Sequence, residues 1–266
     1  KGEIRDDKVI FRSPIDGAHL EFTPEMSIQI QFELGVDMMV CLDDCPPNDA
    51  SPDDIKDSVR RTLDWAQRRK DEYNKQLEKR NISDKKRPLL FSVIQGGSDL
   101  KLRRYCAQKL KNIEFDGYGF GALPTDPRGK FNDELLKKVA GLIPNEALKF
   151  ALGVGNPEDI VKCNRWGWDM FDCVIPTREG RHGKLFYRRR ENTLTTNRFY
   201  SSLNISNTRF KNDHTPIGPN SQSPLLREHT MAFLHHLFKI KHPLSSRLAS
   251  LNNLEFYNAL IKELIN

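Results

Sequence analysis

The sequence lacks the features that mark several common protein classes. Its 266 residues include five cysteines but no Cys-x-x-Cys pair, which argues against a disulfide framework or a zinc knuckle and favours a reducing compartment. No apolar run reaches the roughly 18 residues that cross a bilayer, and the start, KGEIRDDKVIF, has no signal-peptide core. There is also no internal repeat, no low-complexity tract and no Gly-rich phosphate loop ahead of a helix. We therefore expect a cytoplasmic globular protein without a membrane partner.

The excess of positive charge is small overall but concentrated in one stretch. The net charge is +6, spread over a chain that is 29% charged. Residues 178–190 carry six Arg or Lys against a single Glu, with Phe186 and Tyr187 between them. Basic side chains release counterions from phosphates and aromatic rings stack on bases, so this stretch is a candidate nucleic-acid contact. Taken alone, it is also typical of a solvated hairpin.

Short apolar runs alternate with amphipathic runs between residues 35 and 176. This alternation is typical of βα units on a parallel sheet. Ser51 and Asn156, each followed by Pro, predict the N-caps of two helices, and Thr23 predicts a third helix that leads into the first strand. The predicted strands are VDMMVCL (36–42), LLFSVIQ (89–95), GYGFGAL (117–123), KFALGVG (149–155) and DMFDCVI (169–175).

The pattern changes after Pro176. The segment KLFYRRRENTLTTNRFYSS predicts an antiparallel ribbon, and the residues from about Leu225 onward predict two helices that divide near His242 and Pro243. Five strands are too few to close an eight-stranded barrel. The pattern leaves two architectures open, a doubly wound open sheet or a barrel without its first strands.

Polar groups follow or interrupt four of the predicted strands. Asp43 and Asp44 follow the first strand, and Gln95 and Gly153 end two others. Ligands bind beyond the carboxyl ends of parallel strands, so these groups are predicted to converge on one site, although an Asp after a strand is also typical of a turn. Asp172 interrupts an apolar segment, where an ionised side chain is costly unless it is paired or faces a cavity. We expect three nearby cysteines to be small packing residues: Cys41, Cys45 and Cys173.

The run MFDCVIPTREGRHGKLF (170–186) resembles the signature of the tRNA-guanine transglycosylase family. Five further segments match that family in order and spacing, namely SPIDGAHLEFTPEMSIQIQFELGVD, LDDCPP, FSVIQGG, FDGYGFGALP and LGVGNPEDIV. The resemblance implies an α/β fold of the (β/α)8 TIM-barrel type, incomplete at the N-terminus. It places the partial barrel in residues 1–190, and a C-terminal antiparallel ribbon with a helical subdomain in residues 191–266.

The family exchanges guanine at the tRNA wobble position for a 7-deazaguanine on the route to queuosine. The resemblance implies that Asp172 is the nucleophile that attacks C1′ of the ribose and forms a covalent glycosyl intermediate, which suits a carboxylate. It also implies that Asp43 binds the Watson–Crick edge of the base. The other implied site residues are Gln95, Ala122, Leu123, Leu152 and Gly153 for the base, and Arg178, Arg181 and Lys184 for the RNA.

The sequence departs from the family pattern at three places. The family's N-terminal strands, with their Asp-Ser-Gly-Gly-Phe-Gln motif, have no counterpart here, so the general-base Asp and the stacking aromatic residue are expected to be absent from this chain. In the base pocket, Ala122 replaces a Gly and Leu152 replaces a Met. The family's Cys-x-Cys-x-x-Cys and His zinc ligands align with residues that lack thiolate or imidazole donors, so we expect no metal and no other cofactor. These residues are Ser221, Ser223, Leu226 and Asn252.

The sequence therefore favours a tRNA-guanine transglycosylase, a pentosyltransferase whose partners are the tRNA anticodon loop and a guanine or 7-deazaguanine base. A homo- or hetero-oligomer is expected, because a barrel without its first strands exposes a sheet edge. The alternative is a non-catalytic tRNA-binding subunit or a degenerate fragment of such an enzyme, which the lost zinc positions favour. The intact MFDCVIPTR segment favours the enzyme.

Overall fold

A computed structural model describes residues 2–47, 49–126, 128–189, 193–195 and 198–265. The chain divides into two compact units. The first contains Lys1–Gly153 and Arg165–Phe171, and the second contains Val154–Asn164 and Asp172–Asn266. The expected division between residues 190 and 191 comes from the family resemblance rather than from the packing of the chain, and it stays a prediction. No helix in the described part of the chain is long and apolar enough to cross a membrane.

The first unit is built on five parallel strands and the helices between them. Thr23 and Ser51 cap two of these helices through their side-chain oxygens, as predicted, because each oxygen accepts an orphan N–H of the first turn. In chain order the elements are β1 Glu3–Ile4, β2 Val9–Arg12, β3 His19–Phe22, α1 Pro24–Leu34, β4 Met38–Val40, α2 Pro52–Lys79, β5 Leu89–Ile94, α3 Leu100–Ile113, β6 Gly117–Phe120, α4 Asp133–Ala140, β7 Leu148–Ala151 and β8 Met170–Phe171.

The five strands β4 to β8 lie side by side in the order of the sequence. All their pairings are parallel. A doubly wound sheet reverses its strand order at a switch point, whereas a barrel adds each strand beside the previous one. The sheet is therefore consistent with part of a TIM-type barrel. Its apolar core includes edge-to-face contacts between Phe91 and Phe150 and between Phe120 and Trp168.

The N-terminal strands β1 to β3 form a separate antiparallel ribbon, for which the sequence patterns gave no prediction. The ribbon is fastened to α2 through Asp6. Its carboxylate accepts from Arg60 Nη2 at 2.7 Å, and its carbonyl accepts from Trp65 Nε1 at 2.6 Å. Trp65 is fully buried, so this contact closes one end of the core of the first unit.

The second unit packs helices against a short antiparallel ribbon, as expected from the pattern after Pro176. Strands β9 and β10 pair antiparallel, and the two C-terminal helices divide before Pro243. The stretch after β8 differs from the prediction. The expected fifth strand ends at Phe171, and a helix begins at Ile175, because Pro176 fits the first turn of a helix. The elements are α5 Pro157–Arg165, α6 Ile175–Arg181, β9 Lys184–Arg188, β10 Tyr200–Asn204, α7 Pro224–Glu228, α8 Met231–Lys239 and α9 Pro243–Ile265.

Candidate functional site

A cavity of about 420 Å³ lies at the carboxyl ends of strands β4 to β7, within the first unit. Its volume falls in the range of small-molecule sites. The structure brings five of the six expected base-site residues to its wall, and the sixth, Gln95, contacts one of them. The lining residues are Val40, Asp43, Cys45, Pro46, Pro47, Val93, Phe120, Gly121, Ala122, Leu123, Pro124, Leu152 and Gly153.

Asp43 and Gln95 form a polar pair at the base of this cavity. Gln95 Nε2 donates to Asp43 Oδ2 at 2.5 Å. Burial raises the pKa of the Asp43 carboxyl, and the bond from Gln95 opposes this shift. Gln95 is fully buried and its Oε1 accepts no hydrogen bond from the described residues. Asp43 therefore presents its carboxylate to the cavity, and the buried amide of Gln95 orients that carboxylate from behind the wall.

The two adjacent acids after β4 have separate roles. Asp43 lines the cavity, whereas Asp44 is buried and forms an ion pair with Arg61 of α2. The amide of Asp44 also donates to Thr62 Oγ1 at 3.1 Å. Asp44 thus anchors the loop to α2, which leaves Asp43 as the acid available to a ligand.

Gly121 and Ala122 form the part of the cavity wall that follows the end of β6. A Cβ atom on Gly121 would lie 2.5 Å from Gln95 Nε2, so only glycine permits this approach. Ala122 has φ 80°, in the region that favours glycine, so the replacement of the family's Gly is strained. Leu152 packs against Gly119 from the next strand, and Leu123 is two-thirds exposed at the rim.

Cys45 was expected to be a packing residue, and this prediction is wrong. It is exposed and lines the cavity, whereas Cys41 is buried as expected. Although the residue as a whole is exposed, partial desolvation of its sulfur raises the pKa of the Cys45 thiol, and hydrogen bonds from Gln95 and from the Ala122 amide oppose that shift. The Cys-Pro-Pro run that directly follows the two acids is the sequence signal that could have placed it in the loop.

Asp172 directly follows β8 and begins the second main segment of the second unit. The expectation that it lies within a strand is wrong, because β8 stops one residue earlier, and Asp172 is exposed. The next residue, Cys173, packs against Gly155, where a Cβ would meet Cys173 Cβ at 2.3 Å. Tyr257 also donates to the Gly155 carbonyl at 2.8 Å. These contacts fix the main chain next to Asp172.

The expected RNA-binding residues lie on α6 and β9 rather than in a loop. Arg178 and Arg181 are exposed on α6, and Lys184 is half-buried at the start of β9. Glu179 lies near two of them, with its carboxylate 3.4 Å from Arg178 Nε and 3.5 Å from Lys184 Nζ. The fully buried Asn253 holds both elements, donating to the Pro176 and Lys184 carbonyls at 2.9 Å each.

The four positions that align with the family's zinc ligands do not fit a zinc ion. Ser221 Oγ donates to Glu255 Oε2 at 2.6 Å, and the Asn252 amide donates to the Phe186 carbonyl at 3.2 Å. Leu226 is fully buried and has no donor atom. Closed zinc sites use thiolates and imidazoles. Within the described residues, no group of three or more His, Cys, Asp or Glu could hold a metal.

Hydrogen bonds to Glu255 hold this loop instead. In addition to Ser221 Oγ, the amide of Gln222 donates to Glu255 Oε1 at 2.5 Å. Arg227 Nη1 donates to the carbonyls of Ser221 and Gln222 at 2.8 and 3.0 Å. We call Glu255, Ser221, Gln222 and Arg227 the Glu255 clip. The clip joins α9 to the loop before α7 through side-chain and main-chain hydrogen bonds.

The fold and the cavity define a class, the α/β proteins whose parallel strands end at a cavity, with a sheet consistent with part of a TIM-type barrel. The chain belongs to the queuine tRNA-ribosyltransferase family, whose model matches residues 1–265. It is 37% identical to queuine tRNA-ribosyltransferase of Methylacidiphilum infernorum over 262 residues, which are 98% of this chain and 66% of the relative. The corresponding protein of Francisella tularensis subsp. novicida is 34% identical over 98% of the chain and 66% of its own length. That of Ruegeria pomeroyi is 34% identical over 98% of the chain and 64% of its own length. The chain thus spans slightly less than two thirds of the length of these relatives.

Proposed function

We propose that this chain is a tRNA-guanine transglycosylase that exchanges guanine at the anticodon wobble position for a 7-deazaguanine. The observation that carries the proposal is the cavity whose wall contains the Asp43 carboxylate, paired with the amide of Gln95, and the Ala122 main chain. We also propose that the five-stranded sheet is part of a (β/α)8 barrel. Membership of the family supports both proposals.

Guanine matches the polar groups of this cavity. Its Watson–Crick edge presents N1–H and N2–H donors, which an ionised Asp43 accepts. Its O6 and N7 are acceptors, and Gln95 Nε2 and the Ala122 amide are donors of the kind they require once a bound base displaces the Cys45 sulfur from them. The second hydrogen of Gln95 Nε2 keeps the bond to Asp43. Leu152 covers the apolar face of the ring through dispersion contacts. A 7-deazaguanine keeps the Watson–Crick edge and loses only the N7 acceptor, so the same pocket accepts both bases.

Asp172 performs the covalent step in this proposal. One carboxylate oxygen attacks C1′ of the ribose, the C1′–N9 bond breaks, and guanine leaves with the bonding electrons and takes up a proton. The incoming base loses its N9 proton, and its N9 attacks the same C1′, which breaks the ester bond and regenerates the Asp172 carboxylate. The two displacements divide one difficult exchange into two steps through an oxocarbenium-like centre.

Arg178, Arg181 and Lys184 bind the anticodon-loop phosphates in this proposal. All three lie on adjoining elements fixed by Asn253, and both Arg side chains are exposed. Guanidinium groups bind phosphate oxygens in a bidentate manner, which favours a defined register on the RNA. We also propose that the protein is an oligomer, that it lies in the cytoplasm and that it binds RNA without a metal.

Guanine binding to purified protein tests the pocket. Asp43→Asn replaces an acceptor by a donor facing N1–H, and we expect a loss of at least about tenfold in affinity by titration calorimetry, since bonds to a charged group contribute about 1.5–3 kcal/mol. Asp37→Asn is the matched control, because Asp37 is exposed at the opposite end of β4. Equal affinities of wild type and Asp43→Asn would remove Asp43 from the site.

A non-catalytic tRNA-binding subunit is the second candidate function. The absence of zinc donors at the four aligned positions favours it. In that case the protein binds tRNA and guanine exchange is not observed, whereas the enzyme both binds and exchanges. The two candidates therefore separate in an exchange assay and not in a binding assay.

A further inference from the structure

Arg103 of α3 is a fully buried arginine whose guanidinium faces main-chain carbonyls. Nε donates to Gly97 O at 2.7 Å, Nη1 to Ile94 O at 2.9 Å and Nη2 to Gly121 O at 2.9 Å. The guanidinium carbon also lies 4.2 Å from the centre of the Phe120 ring. These contacts use the planar fork of arginine, which presents donors in fixed directions.

The charge of Arg103 persists in this buried position. Burial lowers the pKa of Arg103 to about 10, so the side chain is still protonated at neutral pH. A buried cation is costly unless it is hydrogen-bonded. The three carbonyl dipoles and the cation–π contact with Phe120 offset this cost. An apolar residue would avoid the cost of the charge but would leave the Gly97 and Gly121 carbonyls without the donors that Arg103 supplies. The fork geometry, which reaches several carbonyls at once, is therefore the feature that distinguishes arginine.

The three carbonyls belong to the two loops that shape the cavity. Ile94 and Gly97 flank Gln95 at the end of β5, and Gly121 precedes Ala122 at the end of β6. Ile94 O also accepts from the amide of Gly121 at 3.0 Å. Arg103 therefore contacts the main chain on both sides of Gln95 and directly before Ala122.

The loop after β5 is shaped around this side chain. Gly96 has φ 141°, and a Cβ there would lie 2.7 Å from the Arg103 amide nitrogen. Because the loop is this close, a shift of the Arg103 main chain or side chain moves Gln95 as well. The hydrogen bond from Gln95 to Asp43 then moves with it.

We propose that Arg103 is a positioning residue of the base pocket, which sets the separation between the Gln95 amide and the Ala122 main chain. This inference rests on the proposed function for the role of the pocket in guanine binding. Arg103 itself does not line the cavity and acts through Gln95 and Gly121. A shorter side chain, or a cation with a single nitrogen such as lysine, cannot donate to both loops at once.

The test uses Arg103→Lys and Arg103→Gln, with Arg104→Lys as the matched control. Arg104 is the next residue on the same helix and is exposed. Lysine keeps the positive charge but has one nitrogen, so it loses the bridge between the loops. Three measurements are made on each variant, namely guanine affinity by calorimetry, the urea midpoint of unfolding, and amide hydrogen exchange of the segments 95–99 and 119–124.

Guanine affinity is expected to fall about tenfold or more in Arg103→Lys, since a bond to a charged group is worth about that factor. Exchange of the Gly121 amide is expected to accelerate by a similar factor, while Arg104→Lys matches wild type in every readout. A merely structural role would lower the urea midpoint and leave the guanine affinity of the folded protein unchanged, which would overturn the inference.

Hydrogen exchange separates this inference from the proposed function. If wild type does not bind guanine, the proposed function fails, and the exchange comparison alone then decides whether Arg103 positions the two loops. Unchanged exchange in both Arg103 variants overturns the inference. If neither variant folds at reduced temperature, Arg103 is a requirement of the fold as a whole and the positioning role is again rejected.

Discussion

Glu255→Gln is expected to loosen the loop before α7 and to lower the stability of the protein, because Glu255 holds that loop through two hydrogen bonds. The carboxylate accepts from Ser221 Oγ and from the Gln222 amide. Each bond to a charged acceptor contributes about 1.5–3 kcal/mol, and the partial exposure of Glu255 favours the lower end of this range. Glutamine keeps one acceptor oxygen and points a donor at the other partner. We expect a loss of about 1–3 kcal/mol in the free energy of unfolding.

Thermal unfolding with and without EDTA measures this effect. For a chain of this size, about 1 kcal/mol changes Tm by about 2–4 °C, so the expected loss of about 1–3 kcal/mol should lower Tm by about 2–12 °C. Glu263→Gln is the control, because Glu263 lies two turns later on α9 and pairs with Arg188 at the surface, where an ion pair contributes at most about 1 kcal/mol. EDTA should not change the Tm of wild type. A stoichiometric zinc content, or a Tm that falls with EDTA, would refute the reasoning.

Three further predictions concern the pocket and the RNA-binding surface. The affinity for guanine should fall as the pH decreases through the raised pKa of Asp43, because only the carboxylate accepts N1–H. The midpoint should lie above the ordinary pKa of 3.8, and Asp43→Asn should remove the pH dependence in calorimetry. Because the pKa of Asp43 is raised in the folded protein, its ionisation at a pH above that pKa destabilises the fold. Asp43→Asn should therefore not lower the urea midpoint of unfolding at neutral pH. Ala122→Gly should relieve about 1–2 kcal/mol of left-handed strain and add about 0.4–1 kcal/mol of unfolded-state entropy. The net gain in the free energy of unfolding by urea is then about 0–1.6 kcal/mol. A clear loss of stability would show that the strain is absent. Replacing Arg178 and Arg181 together by Gln should reduce the slope of log K for tRNA against log salt by about 1.4 in filter binding, at about 0.7 for each phosphate contact. An unchanged slope would remove both residues from the RNA contact.

The strands and helices of the first unit could be predicted because buried parallel strands are short apolar runs bounded by Gly, Pro or Asp. The convergence of Asp43 with the ends of the next strands follows from the same rule, since parallel strands place their carboxyl ends on one edge. The strand prediction that included Asp172 is wrong because an apolar run does not show where a strand stops. The helix α6 begins at Ile175, with Pro176 in its first turn. Sequence context alone cannot separate the two acids after β4, because only the contact with Arg61 identifies the anchor.

Arg103 could not be found from the sequence. It lies beside Arg104 in the run LKLRRYC, where two adjacent arginines are typical of a solvated helix face. The two side chains differ only in what surrounds them, since one is fully buried against three carbonyls and the other is exposed. The Glu255 clip was missed for the same reason, because Ser221 and Glu255 are 34 residues apart and meet only in the folded unit.

The exchange of labelled guanine into tRNA tests the central claim most directly, with wild type compared with Asp172→Asn and with Asp169→Asn as a control. Asp169 precedes β8, and its carboxylate accepts from the amide of Lys149 at 2.9 Å. We expect wild type and the Asp169→Asn control to incorporate label and Asp172→Asn not to do so. A covalent complex with tRNA that survives denaturation should form with wild type and not with Asp172→Asn. Equal incorporation by wild type and Asp172→Asn would contradict the role of Asp172 as nucleophile. Binding of tRNA by wild type without incorporation of label would contradict the proposed transglycosylase activity and favour the non-catalytic subunit.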